Sequence, residues 1–198
     1  MRDPLLIEVP TRIDGERVSL RAYRAEDAAT IDEAARASQR ELAAVFPWAA
    51  SLPSVEERSV GLRRRLACFV LRTELAYEIW RLGDGRYLGD TGLFGPDWNV
   101  RRFEIGYWLR TDESGKGYAT EAARLLVDLA FGLLGARRVF VRCDAANRRS
   151  AGVPLRLGFE HEGTLRNEAL RPNGEPADVM VFGMTPERWP STPFATAF

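Results

Sequence analysis

Two periodicities divide the chain into strand-like and helix-like segments. A period of two, or a short apolar run between turn residues, predicts strands. The predicted strands are residues 17–23, 75–82, 86–94, 102–110, 139–143, 159–165 and 178–184. A period of 3.6, or a run rich in alanine and charge, predicts helices. These helices are residues 25–40, 54–70, 119–134 and 147–157.

The order of these elements is strand, two helices, three strands, helix, strand, helix, two strands. It predicts a single α/β (α+β) domain, with a mixed, mostly antiparallel central sheet of about seven strands flanked by about four helices. A doubly wound parallel sheet fits poorly, because the block of three strands lacks crossover helices. We expect the domain to span residues 17–190, with an N-terminal extension at 1–16 and a C-terminal tail at 191–198.

Gly152 and Pro154 fall inside the last predicted helix. A proline in a helix interior costs about 3 kcal/mol or more, since it lacks the N–H and its ring crowds the preceding turn. Glycine also favours non-helical backbone. We therefore predict that the helix over residues 147–157 is shortened or bent.

Composition removes several classes of function. The 198 residues are 45% hydrophobic, and 28 basic residues balance 28 acidic ones, so no overall positive field favours nucleic acid or an anionic membrane. One histidine and two cysteines give no metal-ligand spacing, and we expect Cys68 and Cys143 to be buried free thiols. Residues 1–10 lack the apolar core of a signal peptide, and no apolar run is long enough to span a bilayer. We therefore expect a cytoplasmic protein.

One glycine-containing turn carries the strongest chemical signal. Residues 114–119, Ser-Gly-Lys-Gly-Tyr-Ala, lie between a predicted strand and the most apolar helix. N–H groups in the first helical turn lack intrahelical partners and, with the helix dipole, attract anions. Gly115 and Gly117 allow close backbone approach to a phosphate, and Lys116 adds a charge. The turn is neither a Walker loop nor a full dinucleotide fingerprint, so it predicts a different diphosphate-bearing ligand.

A family resemblance makes this ligand specific. Residues 115–122, Gly-Lys-Gly-Tyr-Ala-Thr-Glu-Ala, resemble the acetyl-coenzyme A pyrophosphate loop of the GNAT superfamily of N-acetyltransferases. Residues 104–109, Glu-Ile-Gly-Tyr-Trp-Leu, resemble the preceding strand in the Rim-type branch, named for ribosomal-protein N-terminal acetyltransferases. Residues 147–150 and 157–160 resemble the Asn-x-x-Ser and Leu-Gly-Phe-Glu elements of that branch. The resemblance runs from about residue 18 to 189, nearly the whole chain.

The resemblance implies acetyl transfer from acetyl-coenzyme A, as cosubstrate, to a primary amine in a ternary complex. It implies that the strand before the loop splays from its neighbour and that the pantetheine arm lies in the opening. The implied cofactor-binding residues are Trp108, Leu109, Arg110, Ser114, Gly115, Lys116, Gly117, Tyr118, Ala119, Thr120 and Asn147. Phe46 and Trp48 lie in a segment that resembles a substrate loop of the branch. Asn147 could instead cap its helix.

Two residues are candidates for proton chemistry. Glu104 is placed to accept the amine proton through water, and the alternative is an ion pair with Arg102 or Arg142. Ser150 is the candidate for protonating the departing thiolate, because many family members have a tyrosine where this chain has Pro154. The alternative for Ser150 is a helix-capping or structural hydroxyl.

The acceptor amine stays open between a protein N-terminus and a small molecule. An α-amine, with a pKa of about 7.7–8.0 against about 10.4 for lysine, loses its proton more easily at neutral pH. A catalytically silent acetyl-coenzyme A binding module is a further alternative, motivated by Ser114 and Pro154, and an interaction domain with a degenerate loop is another. The apolar residues 193–198 offer a contact for a homo-oligomer or form an unpacked tail.

Overall fold

A computed structural model of the protein describes residues 3–189. Within that range the strands are β1 Arg12–Asp14, β2 Val18–Ala22, β3 Leu75–Arg81, β4 Tyr87–Asp97, β5 Arg102–Leu109, β6 Arg138–Asp144, β7 Glu160–Leu170 and β8 Pro176–Met184. The α-helices are α1 Ala28–Ala37, α2 Gln39–Ala43, α3 Val55–Val70, α4 Tyr118–Gly132 and α5 Arg148–Arg156. The predicted tail at 191–198, including the apolar residues 193–198, lies outside the described residues.

The strands form one sheet in the order β1-β2-β3-β4-β5-β6-β8-β7. Every neighbouring pair is antiparallel except β5 and β6, which are parallel. The predicted mixed, mostly antiparallel sheet is therefore confirmed. Two elements exceed the prediction: α2 begins within the helix expected over residues 25–40 and continues to Ala43, and β1 lies in the segment expected as an extension.

Helices cover both faces of the sheet. On one face, Leu126 of α4 and Val153 of α5 are buried in the larger core with Ile105 of β5. On the other face, Ile31 of α1 and Leu62 of α3 pack in a smaller core with strand residues. The central strands β4 and β5 thus lie between two helical layers, and a site at their ends is reached from either face.

The helix α5 is continuous from Arg148 to Arg156, so the predicted shortening is wrong. Asn147 caps it by accepting the N–H of Ser150 at 3.1 Å. The missing N–H of Pro154 would leave the Ser150 carbonyl, four residues earlier, without its helical donor. The Tyr107 hydroxyl supplies that hydrogen bond at 2.8 Å. A tertiary contact therefore offsets the local cost of the proline.

Two further expectations concern the cysteines and the membrane. Cys68 and Cys143 are free, but each is partly exposed rather than buried as predicted. Among residues 3–189, no helix has both the length and the apolar character that crossing a membrane requires.

Candidate active site

The parallel strands β5 and β6 separate part of the way along their length. Their pairing joins residues 102–104 to residues 138–140 and ends at Glu104 and Phe140. Beyond that point β5 runs on to Leu109 and β6 to Asp144. The predicted splay is therefore present, and it exposes strand backbone that an extended ligand arm can pair with.

The glycine turn lies after β5, at the start of α4. Gly115 and Gly117 adopt left-handed backbone, with φ of 80° and 87°, and α4 begins at Tyr118. Within the described part of the chain, no backbone N–H of residues 115–120 donates a hydrogen bond outside its own helix. These N–H groups lie at the positive end of the α4 dipole. The turn therefore fits the diphosphate that the sequence predicted.

Two arginines border this turn, and sequence analysis missed both. The Arg17 guanidinium donates to the Lys116 carbonyl at 3.1 Å, and Arg156 donates to the Thr120 hydroxyl at 3.2 Å. The predicted charge of Lys116 is itself paired with Glu113 at 2.9 Å. No local pattern could reveal Arg17, which is brought to the turn from 99 residues away. Arg17, which also pairs with Glu121 at 2.9 Å, and Arg156 therefore add positive charge beside the turn.

Several predicted cofactor residues have side chains that are engaged within the protein. The Trp108 indole lies in a pocket described below, Leu109 packs on the larger core, and the buried Arg110 pairs with Glu33 at 2.8 Å. Ser114 uses both its hydroxyl and its N–H as donors within its own turn. Residues 108–110 therefore have backbone groups rather than free side chains to offer to an arm in the splay.

Glu104 lies where the splay begins. Burial raises the pKa of Glu104 above its ordinary 4.5, and the charge of Arg142 opposes the rise. Both arginines considered as ion-pair partners are engaged elsewhere: Arg142 pairs with Glu168 at 2.8 Å and Arg102 with Asp97 at 3.7 Å. Among residues 3–189, no ion pair within 4.0 Å engages Glu104. Its carboxyl group is therefore available for other chemistry.

Ser150 lies across the opening from β5. Its hydroxyl is 3.3 Å from the Tyr107 hydroxyl. The side chain of Asn147 accepts the Ser150 N–H, so the capping alternative for Asn147 is what the structure shows. The structure thus brings the predicted Ser150 and Asn147 together with Tyr107, which sequence analysis did not single out as a functional residue.

An aromatic pocket of about 310 Å³ lies on the other face of the sheet, against α1 and α3. Phe46 and Trp48 both line it, with ring centroids 5.8 Å apart, and Trp48 is 5.8 Å from Trp108. Residues 106–108 of β5 line the same pocket. The two residues predicted for the substrate loop therefore share a pocket with the strand that borders the splay.

Asp90 is a carboxylate in this pocket that sequence analysis missed. The register between β3 and β4 shifts between Tyr87 and Gly89, where Leu88 is an extra residue, and this turns Asp90 to the same face as Tyr87. Asp90 accepts hydrogen bonds from the Tyr87 hydroxyl at 2.7 Å and the Trp108 indole at 3.0 Å. Burial raises the pKa of Asp90, and these donors oppose the rise. Simple alternation along β4 gives no sign of this reversal.

A second buried carboxyl group lies beside Asp90. Glu78 is paired with it across β3 and β4 and is fully buried. Burial raises the pKa of Glu78 to about 8, against hydrogen bonds from the Trp80 indole and the Arg24 N–H. Two neighbouring carboxyl groups, of which Asp90 lines the pocket, therefore have charged forms that burial disfavours.

Comparisons with known proteins agree with this arrangement. The model of the acetyltransferase (GNAT) domain matches residues 17–160. The chain is 36% identical over 112 residues to YdaF of Bacillus subtilis (strain 168), a candidate ribosomal N-acetyltransferase, covering 57% of this chain and 61% of that protein. The alignment thus spans less than two thirds of YdaF.

Two solved structures share the fold. One is the microcin C7 self-immunity acetyltransferase MccE with acetyl-CoA and AMP, at a TM-score of 0.81 and 20% identity, covering 89% of this chain and 97% of that one. The other is RimL, a ribosomal L7/L12 α-N-protein acetyltransferase with coenzyme A, at 0.80 and 19%, covering 88% and 97%. Because the family model matches more than half of the sequence, this chain belongs to the GNAT acetyltransferase family.

Proposed function

We propose that this protein transfers the acetyl group of acetyl-coenzyme A directly to a primary amine in a ternary complex. The observation that carries the proposal is that residues 106–108 of β5 border both the splay and the aromatic pocket. A cosubstrate in the splay and an amine in the pocket would then meet across one strand. Such positioning supplies a large part of the rate enhancement of a two-substrate reaction.

The fit to acetyl-coenzyme A rests on groups of this chain. The free N–H groups of residues 115–120 hold the diphosphate, with Arg17 and Arg156 beside them. The unpaired backbone of β5 and the side-chain amide of Asn147 hold the pantetheine arm. When bound, acetyl-coenzyme A supplies an activated acetyl thioester.

Glu104 is the proposed proton acceptor for the amine, through water. An ammonium group has no lone pair, so it must lose a proton before it can attack. Glu104 is half-buried, and its two candidate partners pair with other residues. Ser150 is the proposed hydrogen-bonding group for the departing sulphur, alone or with the Tyr107 hydroxyl 3.3 Å away.

A protein N-terminal α-amine is the proposed acceptor, and a small amine is the alternative. A pocket of about 310 Å³ has room for a terminal residue or a small molecule, and its walls suit an apolar or aromatic group beside the amine. The lower pKa of an α-amine favours the N-terminal acceptor. The names of YdaF and RimL support the same choice. A cytoplasmic location and a homo-oligomer stay predictions.

A catalytically silent binding module is the second candidate. Ser114 favours this candidate, because its hydroxyl and its N–H both donate within its own turn. Related loops often have a longer polar side chain at this position. Such a module would bind acetyl-coenzyme A and transfer nothing.

The test is release of free thiol from acetyl-coenzyme A, measured against N-terminal peptides and small amines in parallel. Peptides that differ only by acetylation of the α-amine are the matched control. Thiol release that requires a free α-amine supports the proposed acceptor, and release with small amines alone supports the alternative. Calorimetric binding without any thiol release would establish the silent module instead.

A further inference from the structure

The Tyr107 hydroxyl occupies an unusual position at the splay. Tyr107 lies three residues beyond Glu104, where the pairing of β5 with β6 ends, and its ring packs on the larger core. The hydroxyl donates to the Ser150 carbonyl at 2.8 Å and lies 3.3 Å from the Ser150 hydroxyl, which donates to it. It therefore spans from one splayed strand to the helix that follows the other.

Pro154 makes this contact available. In an unbroken helix the Ser150 carbonyl would accept the N–H of the residue at position 154. Proline has no N–H, so the carbonyl can accept a hydroxyl from outside the helix. Position 154 is also where many family members carry a tyrosine. The chain thus has no tyrosine on α5, but the hydroxyl of Tyr107 from β5 lies at the same turn of α5.

We infer that the Tyr107 hydroxyl, held in place by Ser150, stabilises the departing sulphur of acetyl-coenzyme A. The inference rests on the proposed function and gives Tyr107 and Ser150 separate roles toward the departing sulphur. As the amine nitrogen bonds to the acetyl carbon, the C–S bond breaks and its electron pair stays on sulphur. The single O–H of Tyr107, which donates to the Ser150 carbonyl before the reaction, turns to donate a hydrogen bond to that thiolate, while the Ser150 hydroxyl continues to donate to the Tyr107 oxygen. The thiol proton comes from water. Ser150 acts through Tyr107 as a positioning residue.

The electrostatics suit a donor that keeps its proton. Burial raises the pKa of Tyr107 above its ordinary value of 10.0, and the hydrogen bond with Ser150 opposes the rise. The hydroxyl is therefore protonated throughout the neutral range. Removing one hydrogen-bond donor to developing negative charge costs about 10²–10³-fold in kcat.

A structural role for Tyr107 is the competing explanation, and Pro154 separates the two. Tyr107→Phe removes the hydroxyl and keeps the ring, and it leaves the Ser150 carbonyl without a donor. Pro154→Ala gives that carbonyl a helical N–H. The double variant Y107F/P154A therefore repairs the structural loss and leaves the chemical loss in place. P154A alone is the matched control.

The experiment measures kcat, KM for acetyl-coenzyme A and Tm for all four proteins. We expect Y107F to lower kcat by about 10²-fold with KM changed by less than about twofold. We expect the double variant to regain the Tm of P154A and to keep the low kcat. Recovery of kcat together with Tm would overturn the inference, as would a Y107F enzyme with kcat within twofold of the wild type, about the scatter of such comparisons.

A binding measurement gives a readout that does not depend on turnover. At high pH the coenzyme A product carries a thiolate, whereas desulfo-coenzyme A has no sulphur. We expect Y107F to weaken binding of coenzyme A by about tenfold and to leave desulfo-coenzyme A unchanged. Equal weakening of both ligands would contradict the inference. If the wild type shows no amine-dependent thiol release, the proposed function fails and this inference fails with it. If the wild type releases thiol and Y107F releases it at a similar rate, only the inference about Tyr107 fails.

Discussion

Three carboxyl groups lie on three neighbouring strands, Glu78 on β3, Asp90 on β4 and Glu104 on β5, and their surroundings differ. Asp90 accepts two neutral donors and Glu78 is sealed beneath the pocket. Glu104 is half-buried at the start of the splay and has both candidate arginines occupied elsewhere. Of the three, Glu104 is the one that lies at the start of the splay, where we propose that the reaction takes place.

We predict that Glu104→Gln removes the acid limb of the pH–rate profile. A general base must be ionised, so kcat/KM of the wild type falls as the pH drops through the pKa of Glu104, which burial raises above 4.5. The variant should lose about 10²-fold in kcat and show a flat acid side. The exposed Glu56→Gln, at the first turn of α3, is the control. A wild-type profile in E104Q would remove Glu104 from this role.

We predict that Glu78 makes stability depend on pH. Its pKa is about 8 in the folded protein against an ordinary 4.5, so the folded state binds more protons between these values. Its contribution is therefore complete below pH 4.5 and is lost as the pH rises through 8. The Tm of Glu78→Gln minus that of the wild type should increase from pH 5 to pH 9. A difference that stays constant over this range would contradict the prediction.

At this scale the sequence could indicate only residues that lie in a recognisable local pattern. Phe46 and Trp48 were predicted as substrate residues, and they share a pocket with Trp108. Whether they bind the acceptor stays a prediction. Asp90 could not be found, because a bulge reverses its side, and Arg17 could not, because only the tertiary fold brings it to the glycine turn.

Among the elements, the irregular β4 places a buried carboxyl group, Asp90, in the pocket. Gly89 has a φ of 148°, and a Cβ placed on it would overlap the Trp108 carbonyl oxygen. We predict that Gly89→Ala destabilises the protein by roughly 1–3 kcal/mol and displaces Asp90 and Trp108. Gly83→Ala is the control, since Gly83 is exposed with nothing near its Cβ.

Chemical denaturation of both variants measures the difference, and Trp108 fluorescence reports on the pocket. The control should stay within about 0.5 kcal/mol of the wild type. If G89A were as stable as G83A, the bulge would not be the constraint that fixes Asp90.

The elements themselves were largely predictable from periodicity, and two of the departures have clear physical causes. Strand β1 has three residues, too few for an alternating pattern to stand out. Helix α5 was expected to be shortened or bent, because helix propensity reflects only the local cost of Gly152 and Pro154. The Tyr107 hydroxyl replaces the donor that Pro154 lacks, and this contact joins residues 43 positions apart. Local rules therefore fail where a long-range hydrogen bond compensates for them.

For the whole molecule, the fold class followed from the order of elements, and the confirmed splay followed from the family resemblance. The splay leaves backbone of β5 and β6 unpaired, and the glycine turn leaves N–H groups without partners. Both features should be completed by ligand. We predict that acetyl-coenzyme A at 100 times its Kd raises the free energy of unfolding by about 2.7 kcal/mol.

Thermal unfolding with acetyl-coenzyme A checks this prediction, with adenosine at the same concentration as the control. Adenosine lacks the diphosphate and the pantetheine arm, so it should give a much smaller shift of Tm. Equal shifts would show that neither the turn nor the splay holds the ligand.

The most direct test of the account is the initial rate of thiol release measured while acetyl-coenzyme A and a peptide with a free α-amine are both varied. Direct transfer between ligands held on the two sides of β5 requires both to be bound at once. We therefore expect the double-reciprocal plots to intersect. Parallel lines would indicate an acetylated enzyme intermediate, and a rate independent of the amine would indicate hydrolysis; either result would contradict direct transfer across β5.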